Sequence, residues 1–137
     1  MRPFFSGSAV GDGVSGGLSP AARALIADIR DRDARSDVQA PHLAHLTKQG
    51  LAAVLDELIR SGEALVLEHG HVLATSTYLR HLGMLESLPA GFHSRDAAAL
   101  WGCSHGRARA TLARMVRDGL VHRSDGAFTL AETDRAR

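Results

Sequence analysis

The chain has 137 residues, 45% hydrophobic but only 4% aromatic, and its 16 Lys and Arg against 15 Asp and Glu leave a net charge of +1. That length suits one ordinary globular domain or two small ones, with a core built mainly from Leu, Ala, Val and Ile. The single cysteine, Cys103, excludes an intrachain disulfide and fits a reducing compartment. No apolar run approaches the roughly 20 residues a membrane span needs, and Met1 to Gly17 has five glycines and no apolar signal-peptide segment, so the expected location is the cytoplasm.

Residues 1–17 read as a flexible Gly/Ser-rich leader. Ser19-Pro20 then pairs an N-cap serine with proline at the first helical position, and Leu25, Ile26 and Ile29 give that helix one apolar stripe. The charges from Asp28 to Asp37 are expected on its solvent side. A second helix starts at Pro41 with Leu43 and Leu46. After the turn at Gly50, Leu51, Val54, Leu55, Leu58 and Ile59 show a 3.6-residue period that ends at Ser61-Gly62. Leu65-Val66-Leu67 and Val72-Leu73 flank His69-Gly70 as a hairpin.

The pattern repeats. Thr75 or Ser76 is expected to cap a helix carrying Leu79, Leu82, Leu85 and Leu88, which Pro89-Ala90-Gly91 breaks. Ser94 is expected to cap a short helix through Ala97, Leu100 and Trp101, and Ser104 a long basic helix that ends at Gly119. Leu120–Arg123 and Ala127–Leu130 form a second hairpin around Asp125-Gly126, followed by a polar tail from 132 to 137. Leu58-Ile59-Arg60-Ser61-Gly62 and Met115-Val116-Arg117-Asp118-Gly119 align at a constant offset of 57 residues. Helix, helix, helix, hairpin in each copy gives a mainly α fold with small β-hairpins. The reading is tandem winged helix-turn-helix domains, the first over 18–74 and the second over 75–131.

Charge separates the two copies. From His93 to Arg123 six arginines stand against two aspartates, +4, whereas residues 19–74 hold six cations against eight acids, −2. A nearly neutral chain that gathers positive charge on one helix-turn-helix presents that face to phosphates. Helical spacing puts Ala108, Leu112 and Met115 on the core side of the basic helix. Gly106, Ala110, Ala113 and Arg117 lie opposite, with Arg107 and Arg114 along one flank and Arg109 along the other. Small side chains permit close approach to a nucleic-acid backbone, guanidinium forks pair with phosphate oxygens, and the helix N-terminus adds an anion site. The expected nucleic-acid contacts are therefore Ser104, His105, Arg107, Arg109, Arg114 and Arg117, with Arg123 reaching from the wing. Asp56 and Glu57 on the matching helix of the first copy are expected to repel phosphates, leaving that copy as a spacer or protein-contact module.

Other features carry less. His42 with His45, and His69 with His71, are spaced to share a metal but lack a third ligand, so no metal and no cofactor are expected. Cys103 at the positive end of the basic helix reads as a turn residue, and Trp101 as core. No GxxxxGK[ST] loop, Ser/His/Asp set or paired carboxylates stand out, so no catalysis is expected.

Leu18-Ser19-Pro20-Ala21-Ala22-Arg23-Ala24-Leu25, and more strongly Gly102-Cys103-Ser104 through Leu112 with Gly119-Leu120 and Arg123, resemble the C-terminal winged-helix array of the bacterial selenocysteine-specific elongation factor, SelB, over roughly Leu18 to Leu130. The resemblance implies an RNA-binding module of translation elongation. In that family the last winged helix grips the messenger-RNA stem-loop that directs selenocysteine incorporation, and the preceding modules join it to a GTPase body that carries selenocysteyl-tRNA. The family has Arg-Lys-Tyr after its Gly-Thr-Ser turn where this chain has His105-Gly106-Arg107, which weakens two expected basic contacts, and no GTPase domain is recognisable in these residues. The alternative partner is duplex DNA, read by a winged-helix transcriptional regulator through the major groove. A third reading makes the acidic first copy a protein adaptor.

Overall fold

The structure, a computed structural model, describes residues 17–35 and 41–131. The expected leader, apart from Gly17, and the expected tail lie outside the described residues, as does Asp37. The first half contains α1 (Pro20–Asp33), α2 (Leu43–Lys48), α3 (Ala52–Arg60), β1 (Ala64–Val66) and β2 (Val72–Ala74). The second contains α4 (Thr75–Met84), α5 (Ser94–Trp101), α6 (His105–Arg117), β3 (Val121–Ser124) and β4 (Ala127–Leu130). Each half is three helices followed by an antiparallel hairpin, the winged-helix order, with β1 on β2 and β3 on β4.

The repeat seen in letters is a repeat of geometry. Leu58 and Met115 are both fully buried. Three residues later α3 is capped by Ser61 and α6 by Asp118. Gly62 and Gly119 then take positive φ of 84° and 78°, which a residue with a Cβ adopts at a cost. The backbone N–H of Glu63 reaches back to the Leu58 carbonyl, and that of Leu120 to the Met115 carbonyl, each at 2.9 Å. Each wing is also tied to the segment just before the second helix of its own half. His42 bridges His71, and Phe92 bridges Phe128.

Caps agree with expectation at Ser19 and Ser104, whose hydroxyls accept the N–H of Ala22 and of Arg107, each at 3.1 Å. At the other two expected caps the serine and threonine are used elsewhere. Ala74 precedes α4, and the Thr75 hydroxyl donates to the Gly62 carbonyl at 2.6 Å, tying α4 to the end of α3. His93 precedes α5, and its N–H donates to the Asp96 carboxylate at 2.9 Å. That leaves the Ser94 hydroxyl to reach across to α6.

Two apolar cores meet along the first hairpin. Side chains alternate across a strand, so Val72 and Ala74 enter the core built from Leu25, Ile26, Ile29, Leu55 and Leu58, while Leu73 enters the other. That second core gathers Tyr78, Leu85, Phe92, Trp101, Leu112, Met115 and Phe128, and it also takes Leu67 from the turn of the first hairpin. The wing of the first half is thus a structural wall of the second.

The turn between β1 and β2 depends on Gly70. Its φ is +81°, and a Cβ built there meets the His42 ring at 2.7 Å. That ring caps α2, with Nδ1 accepting the Ala44 N–H at 3.2 Å and Nε2 donating to the His69 carbonyl at 2.7 Å. Gly70→Ala should expel the ring and strain the turn, lowering stability by roughly 2 kcal/mol in urea unfolding with an unchanged m-value.

His81 stacks on Trp101 with centroids 4.7 Å apart, and the Trp101 indole N–H donates to the His81 carbonyl at 3.0 Å. Burial, aided by the charges of Arg80 and Arg107, lowers the imidazole pKa to about 4. The unfolded chain binds this proton first, so the contribution of His81 to stability is level above about pH 6.5 and falls as the pH drops toward 4. Asp33, pushed up chiefly by burial, works in the opposite direction. Its effect is common to wild type and His81→Phe. Wild type should therefore lose roughly 3 kcal/mol more than His81→Phe between pH 7 and pH 4, read from urea midpoints at each pH.

Candidate nucleic-acid interface

Helix α6 has two kinds of outward neighbour. One side faces the first half, and the arginine predicted there is not at the surface. Arg107 is only 4% exposed. One Nη2 nitrogen donates to the Asp33 carboxylate at 3.0 Å and to the Val72 carbonyl at 2.7 Å. Arg107 is therefore not placed to hold a phosphate: its guanidinium is buried, and its Nη2 holds α1 and β2 against α6. The sequence period of α6 misses this because a second packing surface, not solvent, lies beside its core stripe. Ala110, expected on the open face, is buried for the same reason.

Asp33 is the other half of that correction. Expected on the solvent side of α1, it has a fully buried side chain. Its carboxylate also accepts the Ala74 N–H at 3.0 Å. Burial raises its pKa against the lowering effects of the Ala74 and Thr77 hydrogen bonds and of the Arg107 charge. Nothing in local periodicity distinguishes Asp33 from its exposed neighbours Asp28 and Asp31, because its partner is 74 residues away.

The other side of α6 is open. Between α6, the start of α5 and the second wing lies a groove of about 380 Å³. His105, Arg109, Ala113 and Val116 line its helical wall. Ser94 stands at the α5 end, its hydroxyl 2.6 Å from His105 Nε2. Arg123, Gly126 and Phe128 form the wing side. Arg123 lies directly across from Phe128 in the β3–β4 register, its guanidinium carbon 5.6 Å from the ring centroid, so a cation–π contact steadies it. The turn at the wing tip is the tight one that Asp125-Gly126 predicts, with φ of 51° and 80°. Glu68, from the first hairpin, also lines the groove and was not picked out by sequence reasoning.

The remaining predicted residues divide. Ser104 caps α6 as expected, which commits its hydroxyl to the helix. Arg117 is exposed at the end of α6. Arg114 is half-buried, its Nε donating to both Asp118 oxygens at 3.1 and 3.0 Å. The Tyr78 hydroxyl donates to the same carboxylate at 2.7 Å, and burial with the Asp118 contact pushes its pKa well above the ordinary value. Arg114 thus serves first to hold Asp118, the residue through which Tyr78 ties α4 to the end of α6.

Pairing sorts the arginines of the two halves. In the first, Arg30, Arg32, Arg35 and Arg60 each pair with an acid, and Arg23 donates to the Leu18 carbonyl. In the second, Arg107 and Arg114 are paired. Among the described residues Arg80, Arg95, Arg109, Arg117 and Arg123 make no ion pair. Glu57, expected to repel phosphates from α3, accepts both the N–H and the hydroxyl of Ser19, at 2.7 and 2.8 Å, and these bonds lower its carboxyl pKa and favour the charged form. No three His, Cys, Asp or Glu side chains gather as a metal site among the described residues, and no helix among them is long and apolar enough to cross a membrane.

No family model and no curated protein matches the sequence. Among solved structures the fold is similar to a crystal structure of a bacterial selenocysteine-specific elongation factor, EF-Sec, with a TM-score of 0.70 and 12% sequence identity. The match covers 82% of this chain and 18% of that one, so the chain corresponds to less than a fifth of the factor's length, and at this identity the likeness is one of fold.

Proposed function

We propose that the second winged helix, residues 75–131, binds nucleic acid through the groove between α6 and its wing, and that its partner is an RNA stem-loop. The observation that carries this reading is the set of unpaired guanidiniums. Arg109 and Arg123 line one groove, Arg117 is exposed at the end of α6, and none of the three has an acidic partner among the described residues. Charges left unneutralised on one face, in a chain of net charge +1, suit a polyanion whose counterions they displace. His105 and the N-terminus of α6, set by Ser104, add hydrogen-bond donors for phosphate oxygens.

RNA is preferred over duplex DNA on the strength of the fold shared with a translation factor. On this reading the chain works in the cytoplasm beside the translation machinery, as a reader of an RNA hairpin in selenocysteine insertion. The first winged helix, residues 18–74, is a spacer whose third helix makes no nucleic-acid contact and whose wing supports the second. Fluorescence anisotropy with a labelled RNA hairpin and a duplex DNA of equal length, across a salt series, tests it. The expected result is salt-steep binding that favours the hairpin. Preference for the duplex would move the assignment to a DNA regulator, and failure to bind either would overturn it.

A further inference from the structure

Glu68 is out of place on a surface built only to hold phosphates. It lines the same groove as Arg109, His105 and Arg123, yet forms no ion pair among the described residues. Its side chain is exposed, but its backbone is held in place. Leu67 beside it is buried in the core of the second half, and the Leu67 N–H donates to the His71 carbonyl at 2.7 Å. Two residues on, the Gly70 N–H donates to the Leu67 carbonyl at 3.2 Å, and the His42 ring holds the His69 carbonyl. The short turn Glu68–Gly70 packs against α6 itself. The backbone of Glu68 is thereby fixed at the wall of the groove by contacts from both halves.

A carboxylate accepts hydrogen bonds and donates none, and it repels phosphate. Set among arginines that attract the backbone, it excludes phosphate and carbonyl oxygens from one wall and rewards an N–H donor there. Among nucleobase edges, cytosine N4, adenine N6 and guanine N2 offer such a donor on an exocyclic amino group, while uracil's only edge donor, N3–H, is flanked by the O2 and O4 carbonyl oxygens, which the carboxylate repels. Resting on the nucleic-acid reading above, we infer that Glu68 is a base-selecting residue, contributed by the first winged helix, that admits a base with an exocyclic amino group and rejects uracil at the groove of the second. The first half then takes part in recognition through one side chain, although its own third helix does not.

The test uses the whole chain and two labelled RNA hairpins with one common stem, closed by a cytosine tetraloop or a uracil tetraloop, in anisotropy titrations with wild type, Glu68→Gln and Glu68→Ala. Glu68 is exposed, so the variants should keep the wild-type thermal midpoint. Wild type should bind the cytosine loop about tenfold more tightly than the uracil loop. Glu68→Ala should bring the two within about twofold, chiefly by strengthening uracil-loop binding, with Glu68→Gln between. Equal binding of both loops by wild type, discrimination that survives in Glu68→Ala, or a uniform gain for both loops would overturn the inference while leaving the nucleic-acid reading standing. If wild type binds neither hairpin, that reading falls and the inference falls with it.

Discussion

Arg107→Ala should destabilise the protein by roughly 3–5 kcal/mol, a large share of the 5–15 kcal/mol typical of a domain. The reason is asymmetric. The intact pair returns little net energy, because taking both charges out of water offsets their attraction. Removing the guanidinium leaves the Asp33 carboxylate fully buried with a lost partner, and it also removes the donor to the Val72 carbonyl. Replacing both members, as Asp33→Asn with Arg107→Met, should recover a substantial part of the loss. The carboxamide oxygen of Asn can still accept the Ala74 N–H, while the methionine fills the guanidinium's space. Urea unfolding of wild type, both single variants and the pair gives the coupling energy directly. A single variant that costs less than about 1 kcal/mol would show that the latch does not hold the two halves together. RNA affinity of the folded fraction should stay near wild type, because this arginine has no free face to offer.

The second large effect is on binding. Arg109→Ala with Arg123→Ala should weaken hairpin affinity at least about tenfold and flatten the slope of log affinity against log salt by about 1.5–2. Each residue is an unpaired charge on the groove, so each loss returns about one counterion's worth of salt dependence. Arg30→Ala with Arg60→Ala, which removes the same formal charge from the first half, is the control. Both of those arginines already sit against acids, Glu63 and Asp56, so affinity should change by less than about twofold. Equal effects from the two pairs would mean that the protein attracts nucleic acid through overall charge rather than through this groove.

Much of this fold is legible in the letters. Ser19-Pro20, Ser104, the paired Ser61-Gly62 and Asp118-Gly119 stops and the Asp125-Gly126 turn each act through a local backbone preference, and each appears where the sequence places it. What the sequence hides is long-range pairing. Asp33 and Arg107 look like ordinary members of charged helix faces, and only the docking of the two halves turns them inward. The same docking buries Ala110 and hands Thr75 to the Gly62 carbonyl, while the packing of α5 on α6 hands Ser94 to His105. Glu68 lies 41 residues before Arg109 in a hairpin of the opposite half. Its place in the groove comes from Leu67 crossing into the second core, which no local period encodes. Of the arginines predicted for the interface, Arg109 and Arg117 on α6 and Arg123 on a tight hairpin are found on open surface, while Arg114 is half-buried and paired with Asp118 four residues on. Arg107 fails because its surroundings are not local.

The most direct measurement is an NMR titration that follows arginine side-chain Nε–Hε signals as an RNA hairpin is added. Arg109, Arg117 and Arg123 should shift together in a saturable, salt-sensitive manner, while Arg107 and the first-half arginines Arg30 and Arg60 stay in place. Shifts centred on Arg30 and Arg60, or a uniform small drift of every arginine, would contradict a nucleic-acid interface on the groove of the second winged helix.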